Sequence, residues 1–223
     1  MKQGKKTQVR LFLVDDHAVV RDGLAQLIES EPDLTVCGEA ASAEEAVEAA
    51  MRLKPDLAVV DVTLGSVNGM ELIKNLKAIQ PKLLVLVLSM HDETYYAERA
   101  LRAGASGYVM KREARDRIMQ AIHTVLSGEI YVSDRINKTL LHQYFHRPDG
   151  KAQSPISRLS DRELEVLTLL GQGISSKNIG DRLHLSAKTV DSHRTHMKEK
   201  LGLAGAPELI RFAYEWVSSQ DLL

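Results

Sequence analysis

One cysteine, no apolar run longer than Leu83 to Leu88 and almost no net charge set the first limits on this chain. Cys37 can form no disulfide within the chain and is expected to pack in a strand, which suits a reducing compartment. A membrane helix needs about 20 consecutive apolar residues, so no membrane span is expected. The basic opening MKQGKKTQVR is followed by an apolar stretch that closes on Asp15 and Asp16 without a small-residue cleavage site. A signal peptide is therefore not expected, and a cytoplasmic location is. Internal repeats and low-complexity tracts are missing as well. The net charge of -1 hides an asymmetry: 16 basic and 19 acidic residues run through Ile130, then 13 and 11, leaving -3 and +2. That difference permits nucleic-acid binding by the second half without establishing it. With 44% hydrophobic and 26% charged residues the chain has an ordinary globular composition, and 223 residues falls between one and two domains.

What is present is an alternation of short apolar runs with helical patterns from Val9 to Gly128. Val9–Val14, Leu34–Gly38, Leu57–Val60, Leu83–Leu88 and Gly107–Met110 lack polar alternation and read as strands buried on both faces. Between them Val20, Leu24, Leu27 and Ile28 recur at helical spacing, as do Met70, Ile73 and Leu76, then Ile118, Ile122 and Val125. Pro32, Pro55 and Pro81 each separate a helical pattern from the next strand. Strict alternation implies an α/β domain with right-handed crossovers and a five-stranded, doubly wound parallel sheet, flavodoxin-like, over residues 7–130. A helix and an exposed, turn-rich linker are expected over 131–156, with Ser133 to Phe145 helical. Residues 157–223 read as an all-α domain of four helices. Ser160 with Glu163 forms a capping box, Ser175 or Ser176 caps the second helix, Ser186 the third, and Pro207 suits the first turn of the fourth.

Four polar sites close the apolar runs: Asp15 with Asp16, Asp61, Ser89 and Lys111. In the predicted sheet all lie at carboxyl ends of strands, the edge where open α/β sheets bind ligands. An aspartate there can take a phosphoryl group to form an acyl phosphate, provided a cation offsets the repulsion of anionic donor oxygens. Asp15 and Asp16 can supply a magnesium site beside Asp61, Lys111 can stabilise the transferring group, and Ser89 can hydrogen-bond it. Singly, each of these residues is more often a helix cap or turn former. Together, at one sheet edge, they resemble the receiver domain of two-component response regulators, with Gly69 eight positions after Asp61 and Tyr108 three before Lys111. The resemblance spans about Val9 to Gly128. It implies that Asp61 is the phosphoacceptor, that Asp61, Ser89 and Lys111 carry the chemistry, and that Asp16, Asp61 and the Thr63 carbonyl hold Mg2+, with Asp15 acting through water. It further implies that Ser89 and Tyr108 form a switch pair whose ring rotates inward. Gly65, where proline is usual, and Arg112 after Lys111 depart from the pattern without removing a reacting group.

The tail has the punctuation of a helix-turn-helix, with a break at His184 and Leu185. Val190, Met197 and Leu201 make a buried stripe that leaves Asp191, Ser192, Arg194, Thr195 and Lys198 outward. A helical bundle with a basic, solvated face would share that periodicity. The string LSDRELEVLTLLGQGISSKNIGDRLHLSAKTVDSHRTHMKEKLGL is similar to the LuxR-type DNA-binding domain along its full length. By that resemblance Lys188 and Thr189 grip phosphates, Asp191, Ser192, Arg194 and Thr195 face bases, and Lys198 reaches the backbone. A receiver joined to this tail is the arrangement of NarL/FixJ-family response regulators. It implies a transcriptional regulator rather than an enzyme, phosphorylated by a sensor histidine kinase and bound to promoter DNA as a homodimer on activation. Two other readings compete. An aspartyl-intermediate phosphatase would carry D-x-D after its first strand, whereas adjacent DD stands here. A DNA-binding regulator could instead use the receiver as a dimerisation domain without phosphorylation, which the complete acidic set opposes.

Overall fold

The structure, a computed structural model, describes residues 8–64, 67–113, 115–145 and 155–221. Gly65 and most of the anticipated linker, 146–154, lie outside the described residues. The chain divides into two compact units, Met1–His146 and Arg147–Leu223.

In the first unit the strands are β1 (Val9–Val14), β2 (Leu34–Ala40), β3 (Leu57–Val60), the two-residue β4 (Thr63–Leu64) and β5 (Val67–Asn68), β6 (Leu84–Ser89) and β7 (Gly107–Met110). Five of them form one parallel sheet in the order β2-β1-β3-β6-β7. The helices are α1 (Ala18–Glu29), α2 (Ala43–Leu53), α3 (Gly69–Ile79), α4 (Glu93–Ala103), α5 (Arg115–Leu126) and α6 (Asp134–Phe145). The doubly wound fold expected from alternation is therefore present. Its central strands are apolar throughout because both faces are covered: Leu11, Leu13, Leu57, Val59, Leu86 and Leu88 pack with Leu24 and Ile28 of α1 and Ile118, Ile122 and Val125 of α5. Side chains alternate across a strand, so Phe12, Val14, Ala58, Val60, Val85 and Val87 line the opposite face, all buried. Cys37 lies in β2 as expected, half-buried.

Two features were not foreseen from the sequence: a short hairpin, and the docking of a helix that was itself expected. β4 and β5 pair as a short antiparallel hairpin beyond Asp61, too short to carry a periodicity. Helix α6, expected as part of a linker, packs on the first unit: Ser133 Oγ donates to Glu93 Oε1 at 2.6 Å, Ile136 is buried, and Tyr131 bridges to Gly107 beside β7.

The second unit begins with a 3-10 turn (Pro155–Arg158) and continues as α7 (Asp161–Gly171), α8 (Ser176–Leu183), α9 (Ala187–Leu201) and α10 (Ala206–Asp221). Ile156, one residue before the expected start at 157, is buried. Ser160 and Glu163 form the reciprocal capping box, and Ser175 and Ser186 accept from backbone N–H groups at the starts of α8 and α9. His184 takes the left-handed conformation at φ 51°, ending α8 where the break was expected. Leu164, Leu167, Ile179, Leu183, Val190, Met197, Leu209 and Ala213 form a buried apolar set across the four helices.

Candidate functional site

In the observed strand order the chain passes from β1 out to β2 and then crosses to β3 on the other side of β1. The carboxyl ends of β1 and β3 thus flank the crevice where strand order reverses. Asp15 and Asp16 follow β1 and Asp61 follows β3; the Asp61 N–H donates to the Val14 carbonyl at 2.8 Å, locking the two strand ends together. Gly69 opens α3 against this turn. A Cβ there would lie 2.6 Å from Val62 Cα, so only glycine lets the helix approach the backbone next to Asp61.

Lys111 leaves β7 and reaches back across the edge. Its Nζ stands 2.5 Å from Asp15 Oδ2 and 2.7 Å from Asp61 Oδ2, and all three side chains are nearly enclosed. Burial pushes the Asp61 carboxyl up to about 6, against the pull of Lys111. Burial also opposes the charge on Lys111, but Asp61 and Asp15 outweigh it and hold the ammonium above its usual range. Asp61 Oδ1 is buried and has no hydrogen-bond partner among the described residues. Asp16 is exposed, with His17 Nδ1 2.6 Å from its Oδ1. Asp15, Asp16, His17 and Asp61 each offer a ligand atom, and those atoms lie within 4.8 Å of one another. Hard carboxylate oxygens around a buried acceptor left without a donor fit a divalent cation of the magnesium type.

Ser89, fully buried, closes β6. Its Oγ accepts the His91 N–H at 3.1 Å, while the Tyr108 O–H donates to the His91 carbonyl at 2.8 Å. The two residues of the anticipated switch pair are therefore joined through the backbone of His91. Tyr108 is already inward at 1% exposure, and burial pushes its phenol pKa up. The His91 ring stacks on Tyr96 with centroids 4.4 Å apart, and its Nε2 lies 3.1 Å from Thr63 Oγ1. Burial and then Lys111 push its pKa down to about 4, so the ring is neutral at pH 7.

The sequence reading thus finds its acidic set and Lys111 together, and Ser89 and Tyr108 linked nearby. It missed His17, His91 and Arg21, whose Nη1 donates to the Asp15 carbonyl at 2.5 Å. His17 adjoins the acidic pair in sequence, a signal that could have been read. The others meet the site only through the fold.

On α9, Lys188, Asp191, Ser192 and Thr195 are exposed, and Thr189, Arg194 and Lys198 are half-buried. Val190 and Met197 are buried, as the stripe required, but its third member Leu201 is only half-buried. Thr189 Oγ1 shares a hydrogen bond with Ser186 Oγ at the helix start. Arg194 Nη1 donates to Ser176 Oγ at 2.6 Å and lies 3.5 Å from Asp191 Oδ1, which holds the guanidinium against the beginning of α8.

Residues 11–123 match the response regulator receiver domain, and residues 157–213 match the bacterial regulatory proteins of the luxR family. The chain belongs to the NarL/FixJ family of response regulators. This regulator is 34% identical over 209 residues to the oxygen regulatory protein NreC of Staphylococcus haemolyticus, covering 92% of its own length and 96% of the relative's. A LuxR-family two-component response regulator from Aurantimonas sp. SI85-9A1 is 35% identical, with 62% of this chain and 99% of that chain covered at a TM-score of 0.58. RcsB from Salmonella enterica serovar Typhimurium, bound to promoter rprA in the presence of phosphomimetic BeF3-, shares the fold. The likeness covers 93% of this chain and 99% of that one at 24% identity and a TM-score of 0.61. The protein is a two-component response regulator with a receiver and a LuxR-type DNA-binding domain.

Proposed function

We propose that Asp61 accepts a phosphoryl group from a partner sensor histidine kinase in the cytoplasm, and that the acyl phosphate promotes homodimerisation and promoter binding. The observation that carries this reading is the Lys111 ammonium held between Asp15 and Asp61 while Asp61 Oδ1 stays buried without a hydrogen-bond partner among the described residues. In the transfer, an Asp61 carboxylate oxygen forms the P–O bond as the donor's P–N bond breaks, and the leaving imidazole takes a proton. Mg2+ would be held by Asp16, Asp61 and the Thr63 carbonyl, with Asp15 acting through water, and would supply the charge that offsets repulsion between carboxylate and phosphoryl oxygens. Lys111 pairs with a phosphoryl oxygen, and Ser89, whose Oγ accepts from His91, keeps its O–H to donate to another.

Phosphorylation adds about -1.5 to -2 charge at the crevice. A swing from 1:99 to 99:1 between two states would require about 5.5 kcal/mol of differential interaction. The His91 backbone between Ser89 and Tyr108 is the nearest structure on which that charge can act. On promoter DNA, Lys188 and Thr189 hold phosphates, Asp191, Ser192, Arg194 and Thr195 face base edges, and Lys198 contacts the backbone further along.

Incubation with a small-molecule phosphodonor and Mg2+, followed by intact-mass measurement, tests the reading. Wild type is expected to gain one base-labile phosphoryl group and Asp61→Asn none. Undiminished labelling of folded Asp61→Asn would overturn the assignment. DNA binding as a dimer by an unlabelled protein would favour a receiver that only dimerises.

A further inference from the structure

We propose that His17 is a further ligand of the acidic pocket and shifts its preference from magnesium toward borderline first-row divalent cations; the inference rests on the phosphoacceptor reading of Asp61. His17 precedes α1 at the N-cap position, yet its side chain makes no capping hydrogen bond to that helix. Its main-chain N–H donates to Asp15 Oδ1 at 2.9 Å, which fixes the residue over the crevice. The imidazole turns toward the acids: Nδ1 is 2.6 Å from Asp16 Oδ1 and 3.3 Å from Asp15 Oδ1. The side chain is 67% exposed, so the approach from solvent is open.

The distances allow a common centre. Ligands about 2.0–2.2 Å from one ion lie at most about 4.4 Å apart. The four ligand atoms here fall within 4.8 Å of one another, so closure by a few tenths of an ångström completes the set. A second, independent feature points the same way. Among the described residues Asp61, with its side chain 4% exposed, keeps Oδ1 without a hydrogen-bond partner, while Lys111 engages the Oδ2 atoms of Asp15 and Asp61. Three carboxylates alone suit magnesium and manganese; an imidazole nitrogen added to them suits zinc, cobalt, nickel and iron. The competing account is a plain hydrogen bond from His17 to Asp16, with no role in cation choice.

The two accounts separate on the ratio of affinities. Mg2+ and Co2+ are titrated by calorimetry into the full-length wild type, His17→Ala and His17→Gln, with visible absorption recorded for Co2+. Both substitutions are expected to lower the preference for Co2+ over Mg2+ by at least about tenfold and to change the Co2+ bands. A preference within twofold of wild type with unchanged bands would overturn the inference. Asp61→Asn, run in parallel, is expected to weaken both cations. If it weakens neither, the pocket itself is misassigned; if it weakens both while the His17 variants alter no preference, only the role of His17 fails.

Discussion

Lys111 is the residue on which the charge balance of the site depends. Its ammonium is shared by two carboxylates that are each about 4% exposed, and removing it strands both buried charges. Lys111→Met is expected to cost about 3–5 kcal/mol of stability without divalent cation. Saturating Mg2+ should recover much of that loss, because a cation then stands where the ammonium charge is missing. Urea denaturation of wild type and variant with and without Mg2+ measures it, and a cost indifferent to Mg2+ would contradict a shared cation site. His91 has a different part. Through its backbone it connects Ser89 to Tyr108, and through its ring it connects Thr63 to Tyr96 on α4, so one residue joins the loop after Asp61 to a surface helix.

At the scale of elements, α7 and α9 show how capping and recognition share one small unit. Glu163 closes the capping box on Ser160 and receives Lys200 Nζ from α9 at 2.7 Å, tying two helices at one carboxylate. Burial pushes the Glu163 pKa up, but Lys200 and Ser160 pull it further down, to below its ordinary value of 4.5. A folded-state pKa below the unfolded one contributes stability above that ordinary value, and the contribution disappears as pH falls through the folded pKa. Glu163→Gln is therefore expected to lose about 1–2 kcal/mol at pH 7. Thermal melts of wild type and variant should converge at acid pH, and a gap of constant size would show that the charge plays no part. On α9 the two basic residues should fail differently on DNA. Arg194, pre-positioned by Ser176, is expected on replacement by alanine to cost about 1–3 kcal/mol at the cognate site and to flatten preference at one base pair. Lys188→Ala should weaken all sequences alike and reduce the salt slope by roughly one. Binding to cognate, single-base-variant and random duplexes at several salt concentrations distinguishes them; uniform loss with Arg194→Ala would remove its base-reading role.

For the whole molecule, two compact units suggest separable tasks. The second unit includes the buried Ile156, so a fragment should start before it, at Pro155. The fragment 155–223 is expected to bind operator DNA by itself, more tightly than the unphosphorylated full chain, since residues 1–130, with their net charge of -3, repel a polyanion. Electrophoretic or anisotropy titrations with both proteins test this. A fragment that fails on a site bound by the phosphorylated full chain would sink independent binding, and equal affinity of fragment and unphosphorylated chain would remove the restraint. No helix among the described residues is long and apolar enough to cross a membrane.

The strands from VRLFLV to GYVM, the caps at Ser160 and Ser186, a cap at Ser175 or Ser176, and the break at His184 were legible in the sequence because burial pattern and capping chemistry are local properties. The same locality placed Asp15, Asp16, Asp61, Ser89 and Lys111 at strand ends. It could not say which atoms meet there. That depends on β1 lying between β2 and β3, which brings Asp61 beside Asp15 and lets Lys111 reach both, and sheet order is a long-range property. Only the tertiary structure docked α6 on α4, turned Tyr108 inward onto His91, held Arg194 against Ser176 and left Asp61 Oδ1 without a partner among the described residues. Each of these is decided by packing between residues distant in sequence, where the periodicity of one segment carries no information about the side chains of another.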